Sequence, residues 1–236
     1  MTNTASVESP VGPEGDLDAA VRAAAIRRYD VLGDPDRDDL RALTEVAAMV
    51  ADVPMATINL VTEDEQHQIA TVGFDASVCA REDSMCATVL REPEPVVLAD
   101  ASADLRFARN PFVTGELGRV RFYASHQLVT PRGETIGTLC VFDTHPRTIT
   151  PERRSALKAL ADRVVDLLEL HLRSEELAVA VADLESARRE LQRSNEHLTA
   201  FAGQVSHDLR GPLTAVSTSL MMLADGEENN LQSQLY

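Results

Sequence analysis

The sequence predicts an α+β fold in which helices flank an antiparallel sheet, followed by a long helix that pairs with a second copy as a parallel coiled coil. Three observations carry this expectation. Five runs of strand character, at 55–61, 68–72, 96–98, 120–129 and 135–142, lack a regular strand-helix-strand alternation, which favours an antiparallel sheet over a parallel one. Apolar residues at helical spacing come before, between and after them. Beyond them Leu170, Leu177, Leu184, Leu191, Leu198 and Val205 recur every seventh position, the period of a coiled-coil seam.

Residues 1–15 hold Ser, Thr, Pro, Gly and Glu with almost no apolar content and are expected to be a disordered leader. Leu17, Val21, Ala24 and Ala25 mark a first helix. Leu40, Leu43, Val46, Ala47 and Val50 mark a second after the break at Gly33-Asp34-Pro35, with Asp36 or Asp38 as its cap and Pro54 as its stop. The strand at 55–61 alternates and is β-branched, and 68–72 is its hairpin partner across Glu63-Asp64-Glu65. Ser84 is an N-cap type that opens a short helix carrying Ala87, Val89 and Leu90, which Pro93 ends. After the strand at 96–98, residues 100–118 are rich in Pro, Gly and Asn and without period, a candidate functional loop or lid. Pro131-Arg132-Gly133-Glu134 is the turn between the last two strands, and Thr150-Pro151-Glu152 begins the long helix.

Composition narrows the function classes. A formal net charge of −16 with no basic cluster argues against nucleic-acid binding and against anionic lipid. No apolar run approaches the length of a membrane span, so no membrane insertion is expected. Cys79, Cys86 and Cys140 form no C-x-x-C pair and no even-numbered framework. That spacing favours a reducing, cytoplasmic setting and no metal site.

Residues 19–168 resemble a GAF domain, a sensing module of bacterial signalling proteins. The stretches that carry the resemblance are Arg121-Phe122-Tyr123-Ala124, Thr130-Pro131-x-Gly133 and Ile136-Gly137-Thr138-Leu139-Cys140-Val141-Phe142-Asp143, ending at Pro146-Arg147. Asp83-Ser84-Met85-Cys86-Ala87 and Asp100-Ala101-x-x-Asp104-x-Arg106-Phe107-Ala108-x-Asn110-Pro111 are similar to the pocket-side helix and loop of the same group. The resemblance implies a ligand pocket at Ser84, Cys86, Arg106, Phe107, Asn110, Arg121 and Tyr123. It leaves the ligand unknown, a small-molecule or protein signal. No cysteine precedes a histidine, as in members that attach tetrapyrroles, and Lys158 is the only lysine, which removes the cyclic-nucleotide pattern. His67, His126 and His145 lie in the domain, but a lone histidine near a strand is more often a surface or core residue than a haem ligand. Cys86 at a helix start is either a reactive thiolate or a small buried hydrophobe, and Cys140 in a strand reads as the latter.

The helix that follows ends in Phe201-Ala202-Gly203-Gln204-Val205-Ser206-His207-Asp208-Leu209-Arg210-Gly211-Pro212-Leu213-Thr214. This run resembles the H-box of HisKA-type histidine kinases, the phosphoacceptor helix of two-component systems. The resemblance implies His207 as phosphoacceptor, Asp208 as general base, and a response-regulator receiver domain as partner. Counting the leucine row as d puts His207 at the exposed f position, and Pro212 is expected to bend the helix. Gly211 stands where the family often carries Thr or Asn to position water, so the resemblance does not extend to phosphatase activity of that kind. After Leu223 the chain reads Ala-Asp-Gly-Glu-Glu-Asn-Asn, without the second hairpin helix or an ATP-binding domain, so the chain itself is expected to hold no cofactor and no kinase activity, with ATP and Mg belonging to the parent kinase.

The expected organisation is a leader at 1–15, a GAF sensor at 16–168, a signalling coiled coil at 169–203, the first, incomplete phosphotransfer helix at 204–225 and a truncated tail at 226–236. The whole is a homodimer through the coiled coil. Two other readings compete with the phosphoacceptor one: a non-catalytic dimeric ligand-binding scaffold, and a GAF-fold thiol enzyme similar to methionine sulfoxide reductases.

Overall fold

A computed structural model describes residues 13–32, 37–92 and 94–233. Residues 1–12 of the expected leader, the break at Gly33-Asp34-Pro35 with the Asp36 cap, Pro93 and the last three residues of the tail lie outside the described residues. The chain divides into two units, one ending at Glu175 and one beginning at Glu176.

In the first unit α1 (Pro13–Tyr29) and α2 (Asp38–Ala51) precede β1 (Met55–Val61) and β2 (Glu65–Val72). There follow β3 (Val78–Ala80), α3 (Met85–Val89), β4 (Val96–Leu98), a 3-10 turn at Ala101–Ala103 and α4 (Pro111–Thr114). The strands β5 (Phe122–Val129) and β6 (Thr135–Asp143) lead into α5 (Pro151–Ser233), which runs on through the second unit. The six strands form one antiparallel sheet in the order β3-β2-β1-β6-β5-β4.

Several local expectations are corrected. The first helix takes in residues 13–15, assigned by composition to the leader. The N-cap of α2 is Arg37, and Asp38 is already helical; the Asp39 carboxylate accepts from the Leu40 amide and bonds Arg37 instead. What ends α2 is Asp52, in the left-handed region at φ 59°. The amides of Asp52 and Val53 bond back to the Met49 and Ala48 carbonyls, two residues before Pro54 could act. The hairpin turn is tighter than the acidic run suggests, so Glu65, Gln66 and His67 join β2 and pair with β3, a sixth strand that three residues of sequence did not reveal. The segment 100–118 is ordered by short caps: Asp100 accepts from the Ser102 amide and Asn110 from the Phe112 amide. Apart from these corrections, α5 includes Pro212 and extends past Gly226 to Ser233.

Period-two alternation gives the sheet two unlike faces. One face, with Ala56, Ile58, Leu60, Phe122, Ala124, Leu128, Leu139 and Val141, packs under α1, α2 and the first turns of α5. From α5 it receives Leu157, Ala161, Val164, Val165 and Leu168, a stripe at helical spacing that fixes which side of the helix faces the sheet. Tyr29 ties α1 to this helix by donating its hydroxyl to Glu169. Burial first, and the Glu169 carboxylate second, push the Tyr29 phenol up to about 12.

Within this layer His126 on β5 is only 2% exposed and its Nε2 has no hydrogen-bond partner. Burial pulls its pKa from 6.5 down to about 4, against a backbone hydrogen bond at Arg154; Arg154 and Lys158 also lower it and Asp162 raises it. The unfolded ring takes up a proton below its ordinary value while the folded ring does not until about pH 4. Stability from this residue is therefore complete above the unfolded value and is lost as the pH falls toward the folded one. The loss expected between pH 7 and pH 4 is about 3 kcal/mol, from the linkage of pKa to free energy. Urea unfolding of the wild type and of His126→Leu at a series of pH values checks it: the variant should lack that part of the acid destabilisation, and parallel pH curves would refute the assignment.

Candidate functional site

The opposite face of the sheet carries Thr57, Asn59 and Val61 from β1, Thr138, Cys140 and Phe142 from β6, and Tyr123, Ser125 and Gln127 from β5. The register sets them in rows: Thr57 opposes Cys140, which opposes Ser125, and Asn59 opposes Thr138, which opposes Gln127. Over these rows sit α3 and the segment leading into β5, which close a second apolar cluster of Met85, Cys86, Val89, Phe107, Val113, Val120 and Tyr123. Between floor and cover is a cavity of about 50 Å³. A water-sized centre occupies roughly 10–15 Å³ on the same measure, so this is space for a few atoms.

The cavity wall is polar in a specific way. The Asn59 carbonyl oxygen accepts from Thr57 Oγ1 and Gln66 Nε2, both at 3.2 Å, while Asn59 Nδ2 donates to Cys86 Sγ at 3.4 Å. Gln66 in turn accepts from the Ser84 hydroxyl, which caps α3 by accepting from the Ala87 amide at 2.9 Å. One chain of hydrogen bonds thus pins the start of α3 to β1 and β2. The Cys86 sulfur lies 3.3 Å from that of Cys140, and the Tyr123 hydroxyl lies 3.4 and 3.5 Å from the two sulfurs. Cys140 also meets Thr138 Oγ1 at 3.1 Å and Ser125 Oγ at 3.3 Å. The sulfurs therefore differ. Pairing with Cys140, added to burial, raises Cys86, whereas at Cys140 the hydrogen bonds it shares with Cys86, Ser125, Thr138 and Tyr123 outweigh burial and lower it. Burial and the two sulfurs keep Tyr123 a neutral phenol, a donor toward any thiolate formed beside it.

Of the seven pocket residues expected from sequence, Cys86 and Tyr123 line the cavity and Ser84 holds its wall. The other four serve the scaffold. Arg106 pairs with Asp104 and Glu92 and lies over the Phe107 ring, which is itself fully buried. Asn110 caps α4 and donates to the Asp83 carbonyl, and Arg121 donates to the carbonyls of Val113 and Val120. Thr57, Asn59, Gln66, Gln68, Met85, Phe112, Val120, Cys140 and Phe142 complete the lining without having been singled out for it. Strand parity in β1 and β6 was the signal available for Thr57, Asn59 and Cys140. The three histidines of the domain do not converge: His67 is beside Glu65, His126 is on the opposite face of the sheet, and the largely exposed His145 is beside Asp143.

In the second unit His207 is 81% exposed on α5. Its Nδ1 lies 3.2 Å from Asp208 Oδ1, and Gln204 donates to both Asp208 oxygens at 3.0 Å. Gln204 first, then His207, hold the Asp208 carboxyl below its usual range. Leu177, Leu184, Leu191, Leu198, Leu209, Leu213, Val216 and Leu220 are all exposed. No helix among the described residues is long and apolar enough to cross a membrane.

The family model for the GAF domain matches residues 37–166. A cyclic di-GMP phosphodiesterase of Pseudomonas aeruginosa is 33% identical over 149 residues, which are 63% of this chain and 25% of that protein. The chain thus spans about a quarter of the length of the curated relative it matches. Among solved structures, the blue-light absorbing form of the Thermosynechococcus elongatus PixJ GAF domain is 13% identical with a TM-score of 0.49, over 69% of this chain and 95% of that one. The type II free methionine-R-sulfoxide reductase of Thermoplasma acidophilum is 14% identical with a TM-score of 0.47, over 57% and 93%. Neither structural likeness bears on what the cavity holds.

Ser84 is the one residue that both caps α3 and satisfies Gln66. Ser84→Ala should destabilise the domain by about 2 kcal/mol, the sum of a lost cap and a stranded buried amide, read as a lower urea midpoint at unchanged slope. A change within about 0.5 kcal/mol would place the site's rigidity elsewhere.

Proposed function

The chain belongs to the GAF-domain family, a sensor module of signal transduction, and from that premise we propose that it is the sensing and phosphoacceptor part of a two-component histidine kinase. In this reading a GAF sensor at 16–168 receives the signal in the cavity on the α3 face of its sheet. A signalling coiled coil at 169–203 carries it to the phosphotransfer helix at 204–225. Residues 226–236 follow that segment in the sequence. The observation that carries the reading is the run Ser206-His207-Asp208-Leu209-Arg210-Gly211-Pro212-Leu213 on an exposed helix, with the His207 ring beside Asp208.

The geometry suits nucleophilic phosphoryl transfer. With Nδ1 turned to Asp208, the proton of a neutral imidazole is held there and Nε2 keeps its lone pair for attack. The carboxylate orients the ring and stabilises the cation that develops as the N–P bond forms, and Gln204 holds the carboxylate in place. ATP with Mg, bound by a catalytic domain, is the phosphoryl donor, and an aspartate of a response-regulator receiver domain is the acceptor.

Dimerisation follows from the leucine row. At about 100° per residue, Leu170 lies roughly 200° around α5 from Leu168. Leu168 is buried in the domain core while Leu170 is 64% exposed, so the leucine row begins at Leu170 on a side of the helix that the domain core does not use. The a positions Ser174, Arg188 and Asn195 interrupt the seam, which favours a defined register over maximal stability.

Light scattering should give the mass of a homodimer for the full chain, and Leu184→Glu with Leu191→Glu should reduce it to a monomer with the domain still folded. A monomeric wild type at micromolar concentration would remove the dimer. With the catalytic portion of a related kinase joined after Leu223, ATP should label the protein with acid-labile, alkali-stable phosphate. His207→Gln should abolish the label, and Asp208→Asn should slow labelling by about 10²-fold or more. Label that survives His207→Gln would refute the phosphoacceptor, and a folded dimer that never takes label would favour a non-catalytic scaffold.

A further inference from the structure

The cavity holds a feature that ligand binding alone does not require. Two thiols from elements 54 positions apart meet at 3.3 Å, both on the cavity wall, with a tyrosine hydroxyl against both. We infer that Cys86 and Cys140 are a reversible dithiol switch, closed to an internal disulfide by a small hydroperoxide that reaches them through the cavity. Buried cysteines commonly pack as small hydrophobes, and such a cysteine has apolar neighbours. These two are surrounded by Asn59, Tyr123, Ser125 and Thr138, each with a polar atom on a sulfur.

The geometry assigns the roles. Cys140 lies on β6, between β1 and β5, and is fixed by pairing on both sides. Cys86 is the second residue of a five-residue helix that no strand pairing holds, tied to the sheet through Ser84 and Asn59. Closing a 3.3 Å separation to a disulfide bond of about 2.05 Å needs a shift of about 1.3 Å. Cys140, with Cys86 Sγ, the Tyr123 hydroxyl, Thr138 Oγ1 and Ser125 Oγ all within 3.5 Å of its sulfur, has the hydroxyls to stabilise a thiolate and attacks first. Its thiolate attacks the terminal oxygen of the hydroperoxide: an S–O bond forms, the O–O bond breaks, and the departing alkoxide, or hydroxide from hydrogen peroxide, takes the proton that Cys140 gave up, leaving a sulfenic acid and an alcohol or water. Cys86 then attacks that sulfur. The S–S bond forms, the S–O bond breaks, and hydroxide leaves as water with the Cys86 proton. Two thiols are oxidised by two electrons and one peroxide is reduced. A cavity of about 50 Å³ has room for hydrogen peroxide or a short alkyl peroxide. Cys79 is the internal control. It is half-buried, and burial together with Asp83 raises its thiol, so it should react slowly.

The signalling consequence rests on reading this cavity as the sensing site; the thiol chemistry does not. The three cysteines fall on three tryptic peptides, 42–81, 82–91 and 133–147, so any bridge can be assigned by mass. The reduced full chain is treated with a few equivalents of hydrogen peroxide, its free thiols are blocked, and it is digested. The expected product is a bridge between 82–91 and 133–147, formed at least about tenfold faster than Cys79 is oxidised and reversed by dithiothreitol. Cys86→Ser should instead accumulate a dimedone-reactive sulfenic acid at Cys140, and Cys140→Ser should leave Cys86 as a thiol. The inference is overturned if the wild type keeps both thiols, if Cys79 reacts as fast, or if the bridges join two chains. Because the wild-type chain gives the primary result, misfolding of a variant does not hide the outcome. Peroxide dependence of His207 labelling in the kinase fusion is a separate measurement, so a bridge that forms without changing labelling would sink the sensing role and keep the chemistry.

Discussion

The antiparallel pairing of β1 with β6 is the constraint on which the rest of this domain depends. These strands are the centre of the sheet, and they approach so closely at Leu60 and Gly137 that a Cβ on Gly137 would stand 1.9 Å from the Asn59 carbonyl oxygen. Any larger residue there would push the strands apart or slip the register, and a one-residue slip turns every side chain to the other face. Register at this seam therefore decides two things together. It sends Ile58, Leu60, Leu139 and Val141 to the core under the helices, and it sends Thr57, Asn59, Thr138 and Cys140 to the cavity.

The cavity and the start of α5 share this sheet from opposite sides. Ser125 and His126 are consecutive residues of β5, yet one meets Cys140 at the cavity and the other is buried beside Arg154 and Lys158 of α5. The first turns of α5 belong to the domain core through Leu157, Ala161, Val164 and Leu168 and are tied to α1 by Tyr29 and Glu169. β5 and β6 thus pack directly against the first turns of α5. Cores packed near crystal density transmit shifts because they have little free volume to absorb them.

The polar groups at the cavity are few and almost wholly matched. Asn59, Gln66 and Ser84 satisfy one another in series before reaching the α3 amide, which makes that wall rigid. The sulfurs are the soft end of the same network, since Asn59 reaches Cys86 and Tyr123 touches both. The five-residue helix α3 is therefore held to β1 and β2 at its start, through Ser84 and Cys86.

What the sequence determined by itself is what chain-local periodicity and consecutive motifs can encode. Alternation placed β1 at its observed limits and β5 and β6 within two residues of theirs, Ser84 announced the α3 cap, and the seven-residue repeat with the run around His207 can be read without any fold. The three-residue edge strand β3 has too few positions to show a period, and the left-handed Asp52 ends α2 where proline was expected. The family resemblance named Arg106, Asn110 and Arg121 with the pocket, but each is satisfied by acceptors close to it in the loops, and loop hydrogen bonding is not visible in residue type. Only the tertiary structure brought Cys86 to Cys140 and Asn59 to Gln66 and Cys86, because those meetings depend on sheet order and register, which are set by backbone pairing between segments far apart in the chain.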